Sequence, residues 1–184
     1  MLTANKILEE LELGNIGIEP FDISQLNPNS YNVTLANKLK VYKNKILVSD
    51  EDNPTDDIII PEEGILLKPG VLYIGATKEI ISSDKYISGI DGRSSIGRLG
   101  INIHATAGFG DIGFRGTYTL EIFVVQEVLL KPNTLIGQVY FNEPVGDVNF
   151  LYRGRYQNQI DPTPCRLHMS ERELDSKYHY NQGE

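Results

Sequence analysis

Tyr118-Thr119-Leu120-Glu121-Ile122-Phe123-Val124-Val125 alternates with a period of two. Thr119, Glu121 and Phe123 fall on one face of an extended chain, and Tyr118, Leu120 and Ile122 on the other. β-Branched and aromatic side chains dominate, so a strand is expected over Gly116–Val125. Working outward, strands are also expected at Tyr31–Ala36, Leu39–Tyr42, Lys45–Val48, Ile58–Ile60 and Ile65–Leu67. Further ones fall at Val71–Ala76, Tyr86–Ile90, Ile101–Thr106, Val128–Leu130 and Thr134–Phe141. Lys43-Asn44 reads as a hairpin tip, and Lys68-Pro69-Gly70 as a type II turn that Lys131-Pro132-Asn133 echoes. Near the start, Thr3–Leu13 reads as a short helix, with Ile7, Leu8 and Leu11 at helical spacing and Gly14 as its stop. Many short strands, Gly/Pro turns and one small helix predict an all-β barrel or double sheet.

The 184 residues suffice for one domain, expected over 1–184, with 170–184 frayed. The net charge of −8 opposes general binding to nucleic acid or acidic membranes. Two basic islands interrupt it. Residues 92–116 hold Arg93, Arg98 and Arg115 against Asp111, and 152–168 hold Arg153, Arg155 and Arg166 against Asp161. Such islands suit a small anionic metabolite better than a polymer. By contrast, Ser49–Asp57 reads as a solvated acidic loop. A single cysteine, Cys165, permits no internal disulfide and fits a reducing cytoplasm. The opening residues carry no basic leader and no apolar run, so no secretory signal and no membrane span are expected.

Upstream of the central strand, Gly92-Arg93-Ser94-Ser95-Ile96-Gly97-Arg98-Leu99-Gly100 packs two guanidiniums and two hydroxyls into six residues. If Ser95–Leu99 makes a turn of helix, N–H groups near Ser94 and Ser95 face outward to an anion. Arg93 and Arg98 offer bidentate donors suited to phosphate oxygens. The stretch reads as a triphosphate cradle; an Arg/Ser surface turn without a ligand is the competing reading. Glu121 is the acid–base candidate. Among β-branched and aromatic neighbours its carboxyl is either partly desolvated, with a raised pKa, or solvent-facing on an amphipathic strand. Asp111, in Gly110-Asp111-Ile112-Gly113-Phe114, either closes its own turn or accepts from a sugar hydroxyl. Phe114 beside it either covers a deoxyribose or belongs to the core. The three histidines, His104, His168 and His179, show no metal-ligand spacing, and one cysteine cannot build the zinc site of a nucleobase deaminase. There is no P-loop motif.

Gly92–Gly100, His104-Ala105-Thr106-Ala107, Asp111-x-Gly113-Phe114-x-Gly116 and Leu120-Glu121, in this order and spacing, resemble the dCTP deaminase branch of the dUTPase-like superfamily. So do Ile18-Glu19-Pro20-Phe21, Asn27-Pro28-Asn29-Ser30-Tyr31, Ile136-Gly137-Gln138, Tyr156-Gln157-Asn158-Gln159 and Pro162-Thr163-Pro164. The likeness covers roughly residues 3–168. It implies a distorted β-barrel with a short N-terminal helix and a C-terminal arm, assembled as a homotrimer with sites at subunit interfaces. It also implies dCTP and dUTP as ligands, dTTP as a candidate feedback ligand, no zinc, and Mg2+ arriving on the nucleotide phosphates.

Carried over by resemblance, Arg93, Ser94, Ser95, Ile96, Gly97 and Arg98 match the phosphate and active-site motif. Asp111 matches the sugar contact, and Thr119, Leu120 and Glu121 the segment that meets the cytosine. Glu121 matches the catalytic glutamate, which activates water for attack at C4 and passes the proton to the departing ammonia. Ser94, Arg98 and the carbonyl of Ala107 complete that catalytic group. Gln138, Tyr152, Arg155 and Gln159 match further nucleotide contacts, although the family often has lysine where Arg155 stands. Gly108 and Phe109 resemble members that continue from dUTP to dUMP and pyrophosphate. Gly110 for the usual isoleucine and Ile112 for the usual proline depart from the pattern, and both are expected to loosen the turn. Two other readings stand beside a dCTP deaminase: a dUTP diphosphatase that never deaminates, and a non-catalytic nucleotide-binding regulator. A diphosphatase would leave Glu121 idle, and the chain lacks the Gly-rich arm of trimeric dUTPases.

Overall fold

The computed structural model describes residues 1–169, so the tail expected over 170–184 lies outside the described residues. Helix α1 (Ala4–Glu12) is followed by β1 (Ile16–Glu19), a 3-10 turn at Ile23–Gln25, β2 (Leu26–Asn27), β3 (Ser30–Thr34) and β4 (Lys38–Tyr42). Next come β5 (Thr55–Ile59), β6 (Ile65–Leu67), β7 (Tyr73–Ser83), β8 (Ile87–Gly92) and α2 (Ser94–Arg98). β9 (Ile101–Asn102), β10 (Phe109–Gly110), β11 (Arg115–Val124), β12 (Val128–Leu130) and β13 (Leu135–Asn142) complete the order. One sheet runs β5-β4-β7-β11-β9, with β1 also paired to β7; the second runs β10-β8-β13-β3-β2. The strands that lead into the two echoing Lys-Pro turns, β6 and β12, pair antiparallel as a two-stranded ladder, which puts the turns at its opposite ends.

The expected distorted barrel does not close. Closure needs continuous hydrogen bonding around the ring. Here the main sheets are separate ladders, joined outside the named strands by one bridge, Leu35 to Thr77, among the described residues. The strands build the double sheet instead. Val33, Ile90 and Val139 of one sheet share a core with Ile81, Leu120 and Ile122 of the other. Burying a side chain such as Leu120 completely contributes about 1.5–3 kcal/mol.

Along β11 the expected alternation holds: Tyr118, Leu120, Ile122 and Val124 are buried, and Thr119, Glu121 and Phe123 only half so. Its ladder with β7 slips, since Thr117 faces Ile80 but Thr119 faces Ala76. Thr77 fills the slip. Its Oγ1 accepts from the Tyr118 N–H at 2.9 Å and donates to the Glu79 carbonyl at 2.8 Å.

Several expectations change; the strand expected over Ile101–Thr106, for one, shortens to the two residues of β9. Lys45–Val48 is not a strand; β4 pairs with β5 across a loop at 43–54 that the buried Asn53 closes through both the N–H and the carbonyl of Val48. Asp56 and Asp57 therefore belong to β5 rather than to a solvated loop, and face Lys43 at 3.0 Å and Lys38 at 2.9 Å. β3 is buried on both faces, because Gln25 and Glu79 cover its polar side: Gln25 donates to the Asn32 carbonyl, and Glu79 Oε2 accepts from the Thr34 N–H.

Helix α1 forms as expected, though its buried face holds a carboxylate. Glu10 is 1% exposed beside Lys6, at 2.7 Å, and accepts from Asn15 at 2.6 Å. The Lys6 ammonium holds its pKa down from 4.5 to about 2. A carboxyl lowered on folding stabilises fully above its unfolded pKa, and that contribution is lost as pH falls through the folded one. Glu10→Gln therefore lowers Tm at pH 7, and the gap to the parent closes between about pH 4.5 and pH 2, as thermal melts across that range will show.

Candidate active site

The outer face of β11 opens into a cavity of about 510 Å³ walled by β7, the 107–111 segment and the arm that follows β13. Glu121 borders it, opposite Ile74 on β7. Burial pushes its carboxyl above the usual range, while the nearby His104 and its own backbone N–H pull the other way. His104 Nε2 donates to the Ile90 carbonyl at 2.9 Å, which leaves Nδ1 buried without a hydrogen-bond partner among the described residues. A carboxyl inclined to hold its proton, in a cavity with aromatic walls, is equipped to give and take protons.

The arm lies along β11 by main-chain bonds. Asn158 N–H donates to Arg115 O at 2.8 Å, and Thr117 N–H to Gln159 O at 2.9 Å. Nearer the carboxyl, Thr163 N–H donates to Thr119 Oγ1 at 3.3 Å. Gln159 Nε2 donates to Thr117 O at 2.8 Å, whereas Gln159 Oε1 is buried with no partner among the described residues. Phe114 stands edge-on to both Tyr118 and Tyr152, with centroids 5.5 and 5.9 Å apart.

The structure thus gathers Ala107, Phe109, Asp111, Thr119, Glu121, Tyr152 and Gln159 around one cavity. Leu120 turns its side chain wholly into the core. Arg93, Ser94, Ser95, Ile96, Gly97 and Arg98 lie elsewhere on the same chain, on and just before α2. Ser94, Ser95, Gly97 and Arg98 are exposed, and Ile96 is a core residue. Arg93 donates to the Leu135 carbonyl at 3.3 Å. Gln138, on β13, accepts from Ser30 at 3.4 Å, and Arg155 reaches the Met169 carbonyl at 3.2 Å. Gly108 sits against His104: a Cβ there would come within 2.6 Å of Ile90 O and 2.7 Å of the imidazole.

Gly110 does not loosen its turn in the way the departure suggests. It is buried and paired to Ser88, and Tyr118 fills the space beside it. Ile112 likewise is held, its carbonyl accepting from the Tyr152 N–H at 2.7 Å. Tyr118 was hidden from sequence reasoning, because alternation assigns it to the core. Yet it borders the cavity next to Thr119, where the ladder with β7 slips. Among the described residues no three of His, Cys, Asp and Glu converge as metal ligands, and no helix is long and apolar enough to cross a membrane.

Fold and site define an open two-sheet β protein whose strand β11 turns a half-buried carboxyl to a cavity. A sequence profile described as dCTP deaminase-like matches residues 1–143. Relatives named "dCTP deaminase, dUMP-forming" share 51% identity over 168 residues in Clostridium beijerinckii, covering 91% of this chain and 96% of that protein. One from Cytophaga hutchinsonii shares 45% over 167 residues, covering 88% and 96%. The crystal structure of 2′-deoxycytidine 5′-triphosphate deaminase from Agrobacterium tumefaciens superposes with a TM-score of 0.61 at 18% identity, which speaks for the fold alone. That superposition covers 80% of this chain and 49% of the other, so the chain spans about half the length of that protein. The chain belongs to the dCTP deaminase-like family.

Proposed function

We propose that this chain is a dUMP-forming dCTP deaminase. The half-buried Glu121 on the wall of an aromatic cavity carries the reading, in a chain half identical to enzymes so named. Water adds to C4 of the cytosine as Glu121 takes its proton. The same carboxyl passes that proton to N3 as its double bond to C4 is lost, then carries the C4 hydroxyl proton to the amino group, so that ammonia departs and a C4 carbonyl beside an N3–H remains. Thr119 and the backbone of Leu120 meet the base. Asp111 accepts from the sugar hydroxyl, while Gln159 Oε1 is an acceptor in the same cavity and Tyr152 and Arg155 contribute from the arm.

Ser94 and the Ala107 carbonyl hold the attacking water. Arg93, Ser95, the Ile96-Gly97 backbone, Arg98 and Gln138 take the nucleotide's remaining contacts, chiefly its phosphates. A neighbouring copy in a homotrimer supplies α2 to each cavity. Leu99 and Val125, exposed and adjacent at the end of α2, give such a contact apolar surface to cover. A second water then splits dUTP into dUMP and pyrophosphate, with Gly108 and Phe109 shaping the loop beside it. Mg2+ travels with the substrate's phosphates. dTTP, with the same deoxyribose and triphosphate, competes for the same cavity. The lone cysteine suits the reducing cytoplasm.

Incubation of the protein with dCTP and Mg2+, resolving dUTP, dUMP and ammonia, tests this reading. Equal amounts of ammonia and dUMP are expected. Accumulating dUTP removes the second step; dUMP from dUTP with no ammonia from dCTP leaves a diphosphatase; no product at all leaves a binding protein.

A further inference from the structure

Gly110 has no room for a side chain: a Cβ would overlap the Tyr118 hydroxyl and Ser88 Oγ. Tyr118 reaches this spot from β11, and Ser88 from β8, where it pairs directly with Gly110. Tyr118 Oη lies 2.6 Å from Ser88 Oγ, which donates to the Gly110 carbonyl at 3.5 Å. A serine hydroxyl has one proton, so the phenol is the donor in the shorter bond. Burial pushes that phenol up to about 12, which keeps it a donor across the working range. The carbonyl at the end of this relay belongs to the peptide bond joining Gly110 to Asp111.

The following turn is fixed from the other side, by Gly113 N–H on Ser83 O and Tyr152 N–H on Ile112 O, both at 2.7 Å. Asp111 itself is exposed on the cavity wall, and its carboxylate accepts no hydrogen bond from the described residues. Its direction is therefore set by the backbone that carries it.

We infer that Tyr118, acting through Ser88, is a positioning residue for Asp111, aiming its carboxylate at the sugar 3′-hydroxyl of the bound deoxynucleotide. The inference rests on the deoxynucleotide reading above. Asp111 makes the contact; Tyr118 touches only its support.

The test compares dCTP with 2′,3′-dideoxycytidine triphosphate, which lacks the hydroxyl, using the full chain. Tyr118→Phe and Ser88→Ala each remove one link of the relay. Each is expected to raise KM for dCTP about 3–10-fold, the scale of one hydrogen bond, with a smaller change in kcat. On the dideoxy substrate the same variants should match the parent in KM. A rise that is equal on both substrates, or a fall in Tm with KM for dCTP unchanged, overturns the inference and leaves Tyr118 a core residue. Should the parent bind dCTP without turning it over, the proposed activity fails on its own; Kd values for the two nucleotides then replace KM in the same comparison.

Discussion

Glu121→Gln leaves the chain folded and able to bind dCTP, and cuts ammonia release by about 10²–10⁴-fold, the range a positioned acid–base group contributes. The amide has nearly the shape of the carboxyl and cannot take a proton from water. Affinity persists because the arginines proposed at the phosphates are untouched. Fold persists too: burial already disfavours the charged form of Glu121, so a neutral group costs little there. The parent's deamination should fall as pH drops through the raised pKa of Glu121, since the protonated carboxyl no longer serves as a base. The variant should lack that acid limb. Ammonia assays across pH, beside a nucleotide-binding titration, decide the matter; deamination by the variant at the parental rate strips Glu121 of the role.

Arg98→Ala is expected to lower kcat/KM for dCTP by roughly 30- to 1,000-fold, equivalent to about 2–4 kcal/mol for a buried charged contact. In one chain Arg98 is exposed and does not line the Glu121 cavity, so the proposed contact calls for the proposed second subunit. Mixing therefore has a distinctive outcome. An Arg98→Ala chain retains Glu121, and a Glu121→Gln chain retains Arg98. Reassembled in equal amounts, the two inactive proteins should form some sites with both groups intact and recover about a quarter of parental activity in a closed trimer. Recovery of none, with mixed trimers present by native mass spectrometry, shows that the two residues do not serve a shared site.

The strands were legible where a local pattern sufficed. The period of two on Tyr118–Val125 fixed both faces of β11, and β6 and β12 fall where Ile65–Leu67 and Val128–Leu130 suggested. What failed was pairing, which is not a local property. Ile46-Leu47-Val48 has the apolar make-up of a strand, but Asn53 ties off its loop and gives β4 to β5. Barrel closure depends on edges that the sequence does not display. The site divides in the same way. Glu121 and Asp111 stood out by residue type and neighbours, and share one cavity. Tyr118 and Thr77 did not, because their parts depend on a ladder slip that only paired strands possess.

The seam between the arm and β11 is sewn largely with backbone atoms, at Asn158 with Arg115 and at Gln159 with Thr117. Such stitching is indifferent to most side chains. Position 158 itself is less free: Asn158 has φ +61°, a left-handed conformation that suits asparagine or glycine, so most other side chains would strain the route of the arm there. Proline is barred twice over, since its ring fixes a negative φ and it brings no N–H to the stitch.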